Sequence, residues 1–134
     1  MTLAYCTYCS KDKNASASEL SALDRYVSER IAHVHELSRT DKADFFILSG
    51  QFGVLRAQEK IPNYDHLLLQ SEVEAMTARV EDQLRNLGLK SIRFFTADPN
   101  VQMAVKPYGL VMKQACLNLN IELTETILDP PYID

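Results

Sequence analysis

The alternation of strand-like and helix-like segments in this chain predicts an α/β fold, a small doubly wound sheet of about four parallel strands with helices on both faces. Short runs of apolar, aromatic and β-branched residues recur along the chain, and stretches with apolar residues three or four positions apart lie between them. Turn-forming residues separate the two kinds of segment. The 134 residues fit one domain, residues 1–134, which is large enough to bury a core.

The first half of the chain predicts two strands and one helix. Thr2 to Cys9 is rich in aromatic, small and β-branched residues, as strands are. Ser16 to Glu19 matches a capping box, so the first helix is predicted to begin near Ser16. Phe45 to Leu48 is apolar without alternation, which favours a strand buried on both faces. The apolar stripe of the helix consists of Leu20, Leu23, Val27, Ile31 and Val34.

The second half predicts two further helices and two further strands. Ser71 to Glu74 is a second capping box, and Gly88 is placed to end that helix as its C′ residue. The stripe between them is formed by Val73, Met76, Val80, Leu84 and Leu87. The remaining elements are a strand at Ser91 to Thr96, a helix at Pro107 to Leu119, a strand at Ile121 to Leu128 and an extended tail at Asp129 to Asp134.

This order of elements is that of a Rossmann-like or flavodoxin-like sheet, and it locates a site. In such sheets ligands bind beyond the carboxyl ends of the strands, where the strand order changes direction. Three segments are therefore predicted to meet: Cys9 to Asn14, Ser49 to His66 and Ala97 to Tyr108. The second is long for a strand-to-helix connection, and its apolar residues, Phe52, Leu55 and Ile61 among them, predict that it packs.

Two stretches carry a resemblance to known families. CSKDK, from Cys9, and ILSGQFGVLRAQEKIPNYDHLL, which ends at Leu68, resemble a family of small uncharacterised α/β proteins with a domain of unknown function. Its motifs are Cys-Ser-x-x-Lys and a Ser-Gly-x-[Phe/Tyr]-Gly loop, and the resemblance spans about Leu3 to Tyr108. It implies a fold and a site but no reaction.

The long loop by itself is also similar to that of the peroxide-stress YaaA family. The similarity lies in its Ser-Gly, Gly-Val-Leu-Arg and Tyr-containing segments. Asn63-Tyr64-Asp65 stands where that family has Pro-Tyr-Arg, and this chain is much shorter. Iron protection and DNA binding are therefore not carried over.

The turn after the first strand is a candidate anion site. Ser10, Lys11 and Lys13 place a hydroxyl and two ammonium groups where a phosphate or carboxylate would bind, although a solvated turn is the simpler reading. Cys9 is expected at the strand end, beside the site. Neither a phosphate-binding GxxxxGK[ST] motif nor a dinucleotide GxGxxG motif is present.

The long loop adds further ligand-binding candidates. Ser49 is expected to hydrogen-bond either a ligand or the backbone, and Gly50 and Gly53 permit tight turns or close approach to a ligand. Arg56 is read equally as a bidentate partner of an anion or as a surface residue. Tyr108, near the start of the last helix, either lines the pocket or belongs to the core.

Tyr64-Asp65-His66 contains the candidate catalytic residue. Asp65 is proposed as a general acid or base that faces the cleft, with Tyr64 stacking on a ligand ring. The alternative makes Asp65 the N-cap of a short helix through Leu69 and Tyr64 a packing residue. Adjacent side chains point apart, so a direct Asp65–His66 pair is not expected.

Composition narrows the classes of function. The net charge of −4 argues against nucleic-acid binding driven by net charge, and no apolar run is long enough to span a membrane. With no visible secretory signal and three cysteines, Cys6, Cys9 and Cys116, a cytoplasmic protein with reduced thiols is expected. The Cys6–Cys9 CxxC lacks companion ligands, so neither a metal nor another cofactor is predicted.

The sequence therefore favours a cleft for a nucleotide, a nucleoside or another phosphorylated small molecule. If the chain is an enzyme, hydrolysis or transfer at a glycosidic or phosphate bond is the expected class, with Asp65 as acid or base. The alternatives are a non-catalytic accessory or stress module that binds nucleic acid or a protein partner, and a homodimer whose long loop forms the interface.

Overall fold

A computed structural model describes residues 2–129 and shows an α/β fold around a five-stranded, mostly parallel sheet. The strands of this sheet are β1 (Leu3–Tyr8), β3 (Asp44–Ser49), β4 (Gly53–Leu55), β6 (Ser91–Thr96) and β7 (Glu122–Ile127). Their order is β4-β3-β1-β6-β7, with β4 antiparallel to β3 and the other pairs parallel. A separate antiparallel pair is formed by β2 (Leu20–Ser21) and β5 (Lys60–Ile61).

Residues 2–129 contain four α-helices: α1 (Ala22–Arg25), α2 (Glu29–Thr40), α3 (Val73–Leu84) and α4 (Lys106–Leu119). Helix α1 packs on β2 and β5. Helix α2 packs on β1 and β3, whereas α3 packs on α4 and β4, and α4 packs on β6 and β7. Thr7 of β1 accepts a hydrogen bond from Arg30 of α2, whereas its neighbour Cys6 interacts with Cys116 of α4. Because neighbouring strand residues point to opposite faces, α2 and α4 cover different faces of the sheet.

The predicted strands and the last helix agree with the structure to within a residue or two. β6 has the predicted bounds, and α4 begins at Lys106, one residue before Pro107. The predicted set of four parallel strands is also present, as β3, β1, β6 and β7. The sheet as a whole is mixed, because part of the long loop folds back as β4 and adds an antiparallel edge to the four parallel strands.

The predicted start of the first helix is also wrong. The carbonyl groups of Asn14, Ser16 and Ser18 all accept hydrogen bonds from the buried guanidinium of Arg25. These bonds hold residues 14–18 in an irregular loop, so Ser16 caps no helix. The helical stretch begins instead at α1 and is broken near Val27, whose side chain is 56% exposed.

Other serines cap the two helices that form. The Ser21 hydroxyl accepts a hydrogen bond from the backbone N–H of Asp24, and the Ser28 hydroxyl accepts one from the N–H of Ile31. Both bonds satisfy a donor that the first helical turn leaves free.

The second predicted capping box is displaced by two residues. Glu72, not Ser71, closes the cap, because its carboxylate accepts from the backbone N–H of Leu69 and a 3₁₀ turn at Gln70–Glu72 precedes α3. Helix α3 ends at Leu84, so Gly88 is not its C′ residue, although Gly88 has a positive φ of 71° in the turn toward β6. The predicted burial of Met76, Val80 and Leu84 is confirmed, whereas Leu87 is exposed.

The long connection after β3 is packed, as predicted. Leu55 and Ile61 are almost fully buried, and Phe52 packs edge-on against the Tyr64 ring with 5.1 Å between centroids. Of the predicted tail, residues 130–134 lie outside the described residues. Within residues 2–129, no helix is long and apolar enough to cross a membrane.

Candidate functional site

A cavity of about 370 Å³ lies beyond the carboxyl ends of β1 and β6. The strand order changes direction between these two strands, because β1 has β3, the next parallel strand in the chain, on its other side. The wall comes from residues 8–13, 65–67 and 102–108. All three of these ranges fall within or beside the segments that were predicted to meet.

A second, more open cleft of about 510 Å³ adjoins the cavity. Lys11, Lys13 and Asp65 line both spaces, and Asp12, Asn63 and Tyr64 line the open cleft alone. Lys13 and Asp65 therefore border one cavity although they are far apart in sequence. The two spaces together form a groove whose middle carries two ammonium groups and one carboxylate.

Lys13 is held over an aromatic surface. Its ammonium nitrogen lies 4.6 Å from the centroid of the Tyr64 ring and 5.9 Å from that of Tyr26. Backbone hydrogen bonds between Asn14 and Arg25, 2.7 Å, and between Val27 and Asp12, 2.9 Å, fix this turn against the chain between α1 and α2. The cation–π contacts keep the lysine charge beside the groove.

Arg30 of α2 forms hydrogen bonds with the carboxyl end of β1. Its guanidinium is fully buried and donates to Thr7 Oγ1, to the Tyr8 carbonyl, both at 2.6 Å, and to the Cys9 carbonyl at 3.2 Å. The guanidinium carbon also lies 3.6 Å from the Tyr8 ring centroid. Arg30 thus positions the residues that lead into the cavity.

Arg30 was not among the sequence-predicted site residues, but the sequence carried a signal for it. Arg30 lies on the same helical face as Ile31 and Val34, where an apolar residue is expected. An arginine at such a position must find buried acceptors, and strand-end carbonyls are available ones.

A chain of hydroxyl groups runs behind the groove. Ser49 Oγ accepts hydrogen bonds from the backbone N–H groups of Gln51 and Phe52, each at 3.0 Å, and lies 2.9 Å from the Tyr64 hydroxyl. Since a hydroxyl oxygen has two lone pairs, Ser49 must donate its proton to Tyr64. The Tyr64 and Tyr26 hydroxyls lie 2.5 Å apart and share the next hydrogen bond of this chain.

Burial keeps both phenols of this chain protonated. Loss of water around the side chains raises the pKa of Tyr64 and the pKa of Tyr26. Of the two roles expected for Ser49, the structure shows hydrogen bonds to the protein backbone. Ser49 lines neither the cavity nor the adjoining cleft.

Tyr108 closes the floor of the cavity. The residue is only 3% exposed, and its hydroxyl accepts from the backbone N–H of Leu68 at 3.1 Å and from the Cys9 thiol at 3.5 Å. Burial raises the pKa of Tyr108, so the hydroxyl stays protonated. Its ring also packs against Tyr8 with 5.7 Å between centroids. Tyr108 thereby joins α4, the strand end and the 66–68 segment.

Gly50 and Gly53 shape the site without lining it. A Cβ on Gly50 would lie 2.9 Å from Leu68 N and 3.0 Å from Tyr108 Oη, so only glycine lets the 66–68 segment approach. Gly53 has a positive φ of 78°, and a Cβ there would meet the side chain of Gln83. That side chain clamps the β3–β4 turn by accepting from the Val54 N–H and donating to the Phe52 carbonyl.

Arg56 lies outside the groove. The side chain is exposed, and its guanidinium carbon stands 4.9 Å from the Phe46 ring centroid at the edge of the sheet. It lines neither the cavity nor the adjoining cleft.

Asp65 faces solvent at the groove. The structure has no helix at residues 65–69, so the alternative role of Asp65 as an N-cap is wrong. The reason is that Gly50 and Tyr108 hold this segment extended, with the Leu68 N–H bonded to the Tyr108 hydroxyl. Among the described residues, no hydrogen-bond partner of the Asp65 carboxylate is found.

His66 pairs with Glu72 rather than with Asp65. The His66 Nε2 atom lies 2.9 Å and 3.0 Å from the two carboxylate oxygens of Glu72. The hydrogen bond from the Leu69 N–H, and to a smaller extent the interaction with His66, holds the pKa of the Glu72 carboxyl below its usual range. Sequence reasoning missed this pair, since the two residues are joined by a turn with no periodic signature.

The three cysteines are free thiols in different surroundings. Cys6 of β1 and Cys116 of α4 are both buried, and burial raises the pKa of both, that of Cys116 to about 11. Cys9 lines the cavity. In the part of the chain that the structure describes, no cluster of three His, Cys, Asp or Glu side chains could hold a metal ion.

No protein-family model, no curated protein and no solved structure matches this chain.

Proposed function

We propose that the groove binds a nucleotide, a nucleoside or another phosphorylated small molecule. The observation that carries this proposal is that one cavity joins an apolar, aromatic wall to two lysines. Tyr8, Val105 and Tyr108 contribute to the wall, and Lys11 and Lys13 supply the positive charge. A volume of about 370 Å³ lies within the usual range for small-molecule sites.

The fold and the motifs support the same proposal. The parallel strands follow the order β3-β1-β6-β7, which we assign to the Rossmann-like group, and the cavity lies where ligands bind in that group. The CSKDK segment, which resembles the motif of the small uncharacterised family, contributes Cys9, Ser10, Lys11 and Lys13 to the cavity wall.

A reaction at a phosphate or glycosidic bond would use Asp65. Its exposed carboxylate borders both spaces and is not engaged by a helix terminus. An acid or base must come within hydrogen-bond reach of the atom that gains or loses the proton, and Asp65 is the carboxylate that lines both spaces together with the two lysines.

A thermal-shift screen of nucleotides, nucleosides and sugar phosphates tests binding. A ligand present at about 100 times its Kd adds about 2.7 kcal/mol to the stability of the fold. The shift should be lost in Lys13→Ala, where the lysine is half-buried beside the groove, and retained in Lys60→Ala, because Lys60 is an exposed lysine of β5 that lines neither space. Equal shifts in the two variants would argue against the lysine site.

Catalysis is tested separately by chromatography of nucleoside monophosphates after incubation with the protein. Free phosphate would indicate cleavage of the phosphate bond, and free base would indicate cleavage of the glycosidic bond. Asp65→Asn should abolish either activity and leave stability unchanged, since Asp65 caps no helix. Full turnover in Asp65→Asn would remove its assigned role.

A second candidate function is partner binding at the mouth of the cavity. Val101 is 83% exposed, Met103 is 74% exposed, and both flank Gln102, which lines the cavity. Exposed apolar groups beside a cavity are found at interaction surfaces. Self-association in sedimentation experiments that is lost in a Val101→Ser, Met103→Ser double variant would favour this candidate.

A further inference from the structure

The floor of the cavity brings a thiol and a phenol together. Cys9 and Tyr108 both line the cavity, and the thiol donates to the Tyr108 hydroxyl at 3.5 Å. The Leu68 N–H donates to the same oxygen at 3.1 Å. Both acceptor positions of the Tyr108 oxygen are therefore occupied, and within residues 2–129 its own proton has no acceptor.

That arrangement suits a sulfur that carries negative charge. Once the thiol has lost its proton, the Tyr108 hydroxyl can rotate and donate to the sulfur, while the Leu68 N–H continues to polarise the phenol. Because Tyr108 is only 3% exposed, its hydroxyl keeps its proton and remains a hydrogen-bond donor.

The charged groups of the cavity favour an anionic reagent. Lys11, Lys13, Asp65 and His66 line it together with Cys9. Within the cavity the two lysines outnumber the one carboxylate, that of Asp65, and His66 is paired with Glu72. The Asp12 carboxylate lines only the adjoining cleft. All three cysteines are buried, but Cys9 is 8% exposed, whereas Cys6 is 0% and Cys116 is 1% exposed. Cys116 lines a separate open cleft that contains one lysine, Lys90, and one carboxylate, Glu122.

We propose that Cys9 is a reactive thiol that bonds covalently to small electrophiles entering the cavity, with anionic electrophiles preferred and Tyr108 as the residue that supports the charged sulfur. With iodoacetamide, the thiol proton passes to solvent and a sulfur lone pair attacks the methylene carbon. The carbon–iodine bond breaks, iodide leaves with the bonding pair, and a thioether remains. Only the anionic preference rests on the proposed function.

Alkylation followed by peptide mass mapping tests the proposal on the full chain. We expect iodoacetamide to modify Cys9 before Cys6 and Cys116 in the folded protein. Tyr108→Phe should slow the reaction of Cys9 about threefold, because the loss of the donor reduces the thiolate population while the remaining thiolate becomes more nucleophilic. Tyr5→Phe is the matched control, since its hydroxyl bonds Asp41 and it does not line the cavity.

The proposal is overturned if Cys9 reacts no faster than Cys116, or if Tyr108→Phe and Tyr5→Phe react at the same rate. If Tyr108→Phe folds poorly, a comparison of iodoacetate with iodoacetamide tests the proposal instead. The rate ratio of iodoacetate to iodoacetamide at Cys9 should exceed the ratio for free cysteine and should fall in Lys11→Ala, an exposed position. A ratio below that of free cysteine overturns the anionic preference.

The failure of this proposal is distinguishable from that of the proposed function. Fast alkylation that every nucleotide in the screen leaves unchanged supports the reactive thiol and counts against nucleotide binding. Slow alkylation of Cys9 together with nucleotide-induced thermal shifts counts against the reactive thiol and supports nucleotide binding.

Discussion

Replacement of Gly50 by alanine should destabilise the fold through the segment that carries His66 and Leu68. The added Cβ would lie 2.9 Å from Leu68 N, 3.0 Å from His66 O and 3.0 Å from Tyr108 Oη. Two of these atoms belong to the backbone, so no side-chain rotation relieves the overlap. Overpacking of this kind costs about 1–3 kcal/mol. Alanine also reduces the freedom of the unfolded chain, which returns about 0.4–1 kcal/mol.

The two ranges leave a net loss of unfolding free energy of about 0–2.6 kcal/mol, with a midpoint of about 1.3 kcal/mol, measured by urea denaturation. Gly109→Ala is the matched control, because Gly109 lies inside α4 and its Cβ would meet no atom within 4 Å. Alanine in a helix interior is favoured over glycine by about 0.5–1 kcal/mol, so this variant should be more stable than the wild type. The reasoning is refuted if Gly50→Ala unfolds at the same urea concentration as the wild type or a higher one, or if both variants shift in the same direction.

Two further predictions concern the packing of the long loop and the loss of folding stability at acidic pH. Leu55→Ala should lower the unfolding free energy by about 2–5 kcal/mol, because Leu55 is 1% exposed in β4; a loss near zero in urea denaturation would mean that the loop does not pack as described. Leu69 and His66 lower the pKa of Glu72 in the fold, so the Glu72 carboxylate stabilises the protein above its ordinary titration range, and this contribution disappears as pH falls through the lowered pKa. Stability measured against pH should consequently decline more steeply in acid for the wild type than for Glu72→Gln, and parallel curves would contradict the assigned pairing.

Some contacts in the site join residues that are close in sequence, and others join distant segments. This difference explains which parts of the site could be predicted from the sequence. The strand end at Cys9, the lysines after it and Asp65 are near neighbours of recognisable elements, so the strand-end rule was sufficient to bring them to one edge. The hydroxyl chain from Ser49 through Tyr64 to Tyr26 joins three separate segments. No local pattern encodes such a chain, because each side chain finds its partner only after the segments have packed.

The sequence by itself determined the elements whose patterns are local. The apolar run of β3, the bounds of β6 and the proline at the start of α4 depend on side-chain periodicity and backbone stiffness, and these act over a few residues. Only the tertiary structure decided that the Ser16 capping signal is unused. Arg25 binds the carbonyls of Ser16 and Ser18 and also that of Ile61 in β5, 36 residues away. A buried guanidinium must satisfy its donors, and this requirement outweighs a cap that contributes about 1 kcal/mol.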